Sequence, residues 1–249
     1  MIVTASIPEE IQQFWDLDAE VYDKSPSHSP RRPHEQAAWR GELRRLLPDP
    51  PARVLDAGAG TGFLSLLLAG LGYQVTAMDV SSGMLDVLRG KAAGQGLEVQ
   101  AVQADAASPP DGPFDAVVER NLLWTLPDPA AALAAWRQAA PTGRLVLFEG
   151  SWGKLAGIPG LQAGARILAD RIRGAAPDHH GHYTERVLSA LPHGDGITPA
   201  DVVTLVNASP WGPARLERLR DVEWAMLEGR GLLDQLLGTG QRWAVTGGS

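Results

Sequence analysis

The sequence predicts a doubly wound α/β domain, and two observations carry that prediction. Between Arg53 and Glu149 short apolar runs alternate with segments of helical spacing, and strands separated by crossover helices make a parallel sheet covered on both faces. A glycine-rich turn, Gly58 to Gly62, joins the first apolar run to the first of these helices, which is the local context of a ligand-binding turn.

The elements follow in order. Val54-Leu55-Asp56 is a short strand, Phe63 to Leu71 a helix, Gln74 to Asp79 a second strand and Ser82 to Ala93 a second helix. Glu98 to Gln103 and Phe114 to Glu119 read as strands three and four, Pro129 to Ala140 as a helix, and Gly143 to Glu149 as strand five. Ahead of this core, Pro8-Glu9-Glu10 opens a helix carrying Ile11, Phe14 and Trp15, and a second helix runs from about Pro33 to Leu47, where Pro48-Asp49-Pro50-Pro51 stops it. Behind the core, Leu161 to Arg173 is helical. Thr198-Pro199 starts another helix reaching Ala208 through an N-cap followed by proline. Leu216 to Trp224 and Arg242 to Thr246 read as two closing strands, which makes seven. The expected organisation is a helical cap over 1–50, an α/β core over 51–150, a helical insertion or lid over 151–197, and a final helix with the closing strands over 198–249.

Composition narrows the chemistry. A chain of 249 residues with 44% hydrophobic content has enough length to bury a core unaided. It has no Cys, which removes thiolate zinc sites, iron–sulfur clusters, cysteine nucleophiles and disulfides. The formal net charge is −7, so no global positive field gathers nucleic acid. Neither a leader nor an apolar run of membrane-spanning length is evident, and a soluble, cytoplasmic protein is expected.

Several ligands compete for a glycine turn at a helix N-terminus, where unpaired N–H groups favour something electron-rich. A dinucleotide fingerprint needs a third glycine where Phe63 stands, and the phosphate-loop pattern with its Lys is absent. The spacing here is Gly58-x-Gly60-x-Gly62, two residues after Asp56. Asp79 at the end of the second strand can accept hydrogen bonds from two ribose hydroxyls, or simply cap the next helix.

From about Arg53 to Gly150 the chain resembles the class I S-adenosylmethionine-dependent methyltransferases, whose motifs appear here in order. The resemblance implies a Rossmann-like fold with a mostly parallel seven-stranded sheet, and S-adenosylmethionine as cofactor. It places Asp56, Gly58, Ala59, Gly60 and Gly62 around the cofactor, with Asp79 and Val80 at its ribose. Met84 would pack on the adenine face, though a helical Met is equally core material. Asp105 would receive the adenine amino group and the Ala106 N–H a ring nitrogen. Glu119, Arg120 and Trp124, after the fourth strand, would border the methionine end and the acceptor, a structural salt bridge being the alternative for the charged pair. Trp15 and Tyr22 belong to the segment resembling the family's entry helix, whose Tyr closes over the methyl group or the methionine carboxylate.

Acceptor chemistry is less local. His179, His180 and His182 beside Tyr183 form the densest cluster of neutral-pH bases, either a catalytic loop or a solvated one. His179, His182, Tyr22 and Glu119 are the catalytic candidates, and Trp15, Trp124, Trp152 and Tyr183 the acceptor-binding ones. Trp211 is a further candidate for an aromatic pocket. No metal site is expected. The predicted activity is methyl transfer to a nitrogen or oxygen of a small molecule, a specialised metabolite. Its rivals are a cofactor-dependent cyclisation or rearrangement, a non-catalytic cofactor-binding subunit, and an RNA or protein methyltransferase. The expected partners are a small-molecule acceptor and no nucleic acid or membrane, with a homodimer allowed.

Overall fold

The computed structural model describes residues 5–25, 28–150, 183–228 and 240–248. In chain order these form α1 (Ile7–Tyr22), α2 (Pro33–Leu46), β1 (Arg53–Ala57), α3 (Phe63–Ala69), β2 (Gln74–Asp79), α4 (Ser82–Gln95), β3 (Gln100–Gln103) and β4 (Ala116–Arg120). A 3₁₀ turn (Leu123–Thr125), α5 (Pro129–Ala139), β5 (Arg144–Gly150), α6 (Glu185–Ala190), α7 (Pro199–Ala208), β6 (Arg215–Arg218), α8 (Arg220–Leu227) and β7 (Arg242–Gly247) follow.

The seven strands make one sheet in the order β3-β2-β1-β4-β5-β7-β6. The first five pair in parallel and β7 runs antiparallel between β5 and β6. Strand alternation explains why both faces are covered. Val54, Val118 and Val146 point to one side, under Trp39 and Leu43 of α2 and Leu68 of α3. Leu55, Val117 and Leu145 point to the other, under Leu133 and Trp136 of α5 and Val202 of α7. Helix ends follow their local chemistry: Ser6 and Glu9 form a capping box on α1, Asp128 caps α5, and Thr198 with Asp201 caps α7.

The structure departs from the sequence reading at three places. The segment expected as a strand from Leu216 to Trp224 is strand only to Arg218; Arg220–Leu227 is helix. The reason is visible in the burial of Leu219, Val222 and Ala225, spaced by three residues, with Trp224 73% exposed between them. Strand three begins at Gln100, two residues later than expected, and ends at Gln103 as read. Helix α2 is a layer of the core rather than part of a cap, since Trp39, Leu43 and Leu46 share one hydrophobic cluster with Val54. The helix expected at Leu161–Arg173 lies outside the described residues, as does most of the expected lid.

Helix α1 lies against the start of α4. Asp16 Oδ1 accepts from Ser81 Oγ at 2.6 Å and from Gly83 N at 3.0 Å. A Cβ on Gly83 would stand 3.2 Å from Asp16 O, so the helices touch backbone to backbone. Asp16→Ala is therefore expected to lower stability by about 1–2 kcal/mol, the cost of a lost N-terminal cap. Urea titration would show this as a lower midpoint; an unchanged midpoint would leave the contact without energetic weight.

Candidate active site

Sheet order reverses between β1 and β4, and open α/β sheets bind ligands at such a switch point, outside the strand ends. Here the turn after β1 supplies backbone and the segment after β4 supplies side chains. Gly58 and Gly60 have φ of +66° and +53°, a left-handed conformation that costs glycine little. A Cβ on Gly58 would stand 2.7 Å from Leu122 Cδ1, whereas one on Gly60 would meet nothing within 4 Å. Gly60 thus faces open space. Gly62, at φ +93°, is instead pressed against Leu88, and Ala59 is tied by its N–H to Met78 O at 2.9 Å.

That open space is a cleft, the concave kind of surface on which small molecules bind. Its floor is Gly58, Gly60, Asp79 and Val80; Met84, Asp105 and Ala106 form one end; Arg120, Asn121 and Leu122 form the other. Ile11, Trp15 and Tyr22 of α1 roof it. Asp23, just past α1, secures the roof by accepting from Thr61 Oγ1 at 2.7 Å and Lys91 Nζ at 2.8 Å.

Asp79 is buried, and its carboxylate accepts from Gly60 N at 2.8 Å and Ser81 N at 2.9 Å. Burial raises its pKa to about 6, against those backbone donors. Each oxygen keeps a lone pair for a further donor. Asp56 lies beneath the turn, 1% exposed, accepting from Ser65 Oγ at 2.5 Å, and burial raises its pKa to about 7.

Two smaller cavities continue from the cleft. One lies between the glycine turn and Tyr22, His28 and Phe63. The other lies beyond Phe63 and Asn121, against Phe148 and Glu149 of β5. Arg120 borders all three spaces. Its guanidinium carbon sits 3.9 Å from the Phe63 ring centroid, a cation–π contact. Burial lowers its pKa, while Tyr22, Glu119, Glu149 and Asp56 favour the charged form.

After Arg120 the chain turns sharply at Asn121, whose φ of +58° is the one positive value on a non-glycine among the described residues. Two buried carboxyls hold the turn: Glu119 Oε2 accepts from Leu122 N at 2.8 Å and Glu149 Oε1 from Leu123 N at 3.3 Å. Both pKa values are raised, first by burial, and for Glu119 also by the charge of Glu149.

Of the sequence-predicted site residues, the cleft gathers Gly58, Gly60, Asp79, Val80, Met84, Asp105, Ala106, Arg120, Trp15 and Tyr22. Glu119 is 0% exposed and does not border it, because its side chain turns under the strand end to hold Leu122. Tyr183 is buried against Phe14, Trp15 and Trp124, with centroids 4.6, 6.0 and 5.8 Å away. Trp211 belongs to the core, its indole N–H donating to Leu133 O at 2.7 Å. Trp152, His179, His180 and His182 lie outside the described residues. Sequence reasoning gave His28 only as a weaker candidate and missed Asp23, Asn121 and Glu149; Asn121 directly follows Arg120, and the Glu closing the Leu-Val-Leu-Phe run of β5 was a further visible signal.

A family model described as a methyltransferase domain matches residues 54–143. The ubiquinone biosynthesis O-methyltransferase of Xanthomonas euvesicatoria is 33% identical over 224 residues, covering 85% of this chain and 87% of that protein. The chain belongs to the class I S-adenosylmethionine-dependent methyltransferases. The demethylmenaquinone methyltransferase of Thermus thermophilus is 43% identical over 117 residues, 45% of this chain and 53% of that protein, so the match spans about half the relative's length. Among solved structures, an S-adenosylmethionine-dependent methyltransferase from Aquifex aeolicus aligns over 96% of this chain and 97% of its own, at 16% identity and a TM-score of 0.57. Magnesium protoporphyrin IX methyltransferase from Synechocystis, with S-adenosylmethionine bound, aligns over the whole of both chains at 16% identity and a TM-score of 0.56. Both likenesses bear on the fold: the mostly parallel seven-stranded sheet of this family is the one described above. S-adenosylmethionine is the cofactor of the family. Among the described residues no helix is long and apolar enough to cross a membrane.

Proposed function

We propose that this methyltransferase acts on a small molecule, at an oxygen or nitrogen, within the cleft outside β1, β2 and β4. The observation that carries the reading is the convergence, in one cleft, of the Gly60 backbone, the Asp79 carboxylate and the Arg120 guanidinium. These groups fit the parts of the cofactor. Asp79 offers acceptors for ribose hydroxyls, Asp105 and the Ala106 N–H suit an adenine edge, and the Arg120 guanidinium suits a carboxylate. Val80 and Met84 supply apolar cover for the ring. Bound S-adenosylmethionine supplies a methyl group on a positively charged sulfur, ready for in-line displacement.

The chain's own task is then orientation and exclusion of water. Trp15 and Tyr22 roof the cleft, and the clasp of Asp23 on Thr61 and Lys91 keeps them there. Orientation of this kind accounts for up to about 7–11 kcal/mol of a barrier. A small acceptor is supported by the enclosed cleft, the negative net charge and the relatives named for ubiquinone and menaquinone precursors; those named as O-methyltransferases favour oxygen. Calorimetric titration with S-adenosylmethionine and, separately, S-adenosylhomocysteine tests the site. Saturable binding of both, near the micromolar range typical of enzyme ligands, is expected; binding of neither would overturn the reading.

A further inference from the structure

We infer that Glu119 and Glu149 share a single proton between their buried carboxyls, and that this proton locks the turn carrying Arg120 and Leu122 in place at the cofactor cleft. Both are positioning residues: they hold the turn, and the turn borders the cleft. The inference rests on the proposed placement of the cofactor and adds a proton that the bound state requires.

Strands β4 and β5 are parallel neighbours, and Asn121 N extends their pairing by donating to Phe148 O at 3.1 Å. The chain then bends through the left-handed Asn121. Backbone donors at such a bend need acceptors, and the next two are met by acids: Leu122 N by Glu119 Oε2 and Leu123 N by Glu149 Oε1. One carboxyl comes from each strand, so the turn is fastened to both.

This turn is one wall of the cleft. Arg120, Asn121 and Leu122 border it, and Leu122 lies so close to the glycine turn that a Cβ on Gly58 would stand 2.7 Å from its Cδ1. Thr125 borders the cleft too, with its N–H and hydroxyl donating to Leu122 O at 2.9 and 2.8 Å. A shift of Leu122 therefore disturbs the guanidinium and the glycine turn together.

The second oxygen of each acid decides the protonation. Glu119 is 0% exposed and Glu149 1%. Among the described residues, Glu119 Oε1 and Glu149 Oε2 meet no N–H or O–H donor, while the two side chains lie within hydrogen-bond reach of each other. Carboxylates only accept, so a hydrogen bond between two of them requires a proton on one. That proton satisfies both buried oxygens and leaves the pair one negative charge instead of two. It belongs to the pair rather than to either acid. Burial and mutual repulsion hold it well above the ordinary carboxylate range. The charged groups around the pair are Arg120 on β4, which favours ionisation, and Asp56 on β1, which opposes it. Arg242 of β7 and Glu35 of α2 border the cavity beside Glu149. When the proton leaves, two like charges face each other and the fastening of the turn slackens. Cofactor binding at alkaline pH then takes up a proton, and affinity falls by up to about tenfold per pH unit once the free chain has lost it.

Calorimetric titration with S-adenosylhomocysteine from pH 7 to pH 9.5, in buffers of different ionisation enthalpy, reads affinity and proton uptake together. Glu149→Gln keeps an oxygen for Leu123 N and offers Glu119 a permanent N–H, so it mimics the protonated pair. At pH 9.5 wild type is expected to take up as much as about one proton more than Glu149→Gln, and to have lost at least about fivefold more of its pH 7 affinity. Titration of the ligand's own amine is common to both proteins and cancels. Infrared spectra of the two ligand-free chains give a second reading. The difference between them is expected to contain the carbonyl band of a protonated acid at pH 7 and to lose it at pH 9.5. Equal pH profiles in the two proteins would overturn the inference, as would a difference spectrum without that band. The infrared reading needs no ligand, so a chain that shows the band yet binds no S-adenosylhomocysteine would overturn the placement of the cofactor instead.

Discussion

Asp79→Ala lowers affinity for S-adenosylmethionine by about 10- to 100-fold, the expected loss when hydrogen bonds to a charged acceptor disappear. Two effects reinforce each other in this variant. The ligand's ribose donors lose their acceptor, and Gly60 N loses its 2.8 Å partner, so the turn that cradles the ligand is no longer held. Asp79→Asn separates them: it retains one oxygen for a backbone donor but no charge. The pH dependence follows from the raised pKa of about 6, which is caused by burial. Donors from a ligand favour the ionised carboxylate, so binding is strongest above pH 6. It should fall by up to about tenfold per pH unit below that value. Stability moves the opposite way, because a folded-state pKa above the unfolded value means that ionised Asp79 opposes folding. Its penalty is fully present above pH 6 and is relieved as pH falls from about 6 towards the ordinary carboxylate range near 4. Calorimetry at pH 5 and pH 7.5 on wild type and Asp79→Asn checks this. Equal affinities at the two pH values in wild type would remove Asp79 from the binding set.

What was legible in the sequence was what lies within one crossover. The glycine turn, the acid ending β2 and the Asp105-Ala106 step each sit at the carboxyl end of a strand. Each strand announces itself by an apolar run, so the parallel sheet brings them together with no further information. Contacts across the chain left no such trace. Asp16 reaches Ser81, Asp23 reaches Thr61, and Glu149 meets the turn that Glu119 also holds. In each case a polar residue on one element finds its partner only after both have docked. The same limit explains Glu119, which looked catalytic because it precedes Arg120 at a strand end. Nothing local told that its side chain would be drawn under the strand to satisfy Leu122 N. Trp211 was ambiguous for a related reason, since an indole lines a pocket or fills a core depending on where its N–H finds a carbonyl. Leu216–Trp224 failed at a strand-to-helix junction, where the apolar spacing changes after only four residues.

Arg120→Met should cost both cofactor binding and stability. The guanidinium stands among Glu119, Glu149, Asp56 and Tyr22, and the three carboxyls have raised pKa values even with it present. Without it they lose the cation that makes their charge tolerable. The loss is expected at about 2–3 kcal/mol near neutral pH, below the full cost of breaking a dry ion pair because Arg120 keeps some exposure at the cleft. The sign with pH is definite. Removing Arg120 raises the carboxyl pKa values further, so the variant's deficit is largest above pH 8 and shrinks as pH falls and the acids take up protons. Arg120→Lys keeps a positive charge but not the flat face that lies over Phe63 at 3.9 Å. It should recover most of the stability while remaining at least about fivefold weaker for S-adenosylmethionine, whose carboxylate a guanidinium can grip with two donors. Urea titrations of the three proteins at pH 6 and pH 8.5, beside calorimetry, distinguish the roles. A deficit in Arg120→Met that is independent of pH would mean that the carboxyls do not depend on this cation. Arg120 would then be a ligand group only, and the link between the cleft and the acid pair behind it would be geometric rather than electrostatic.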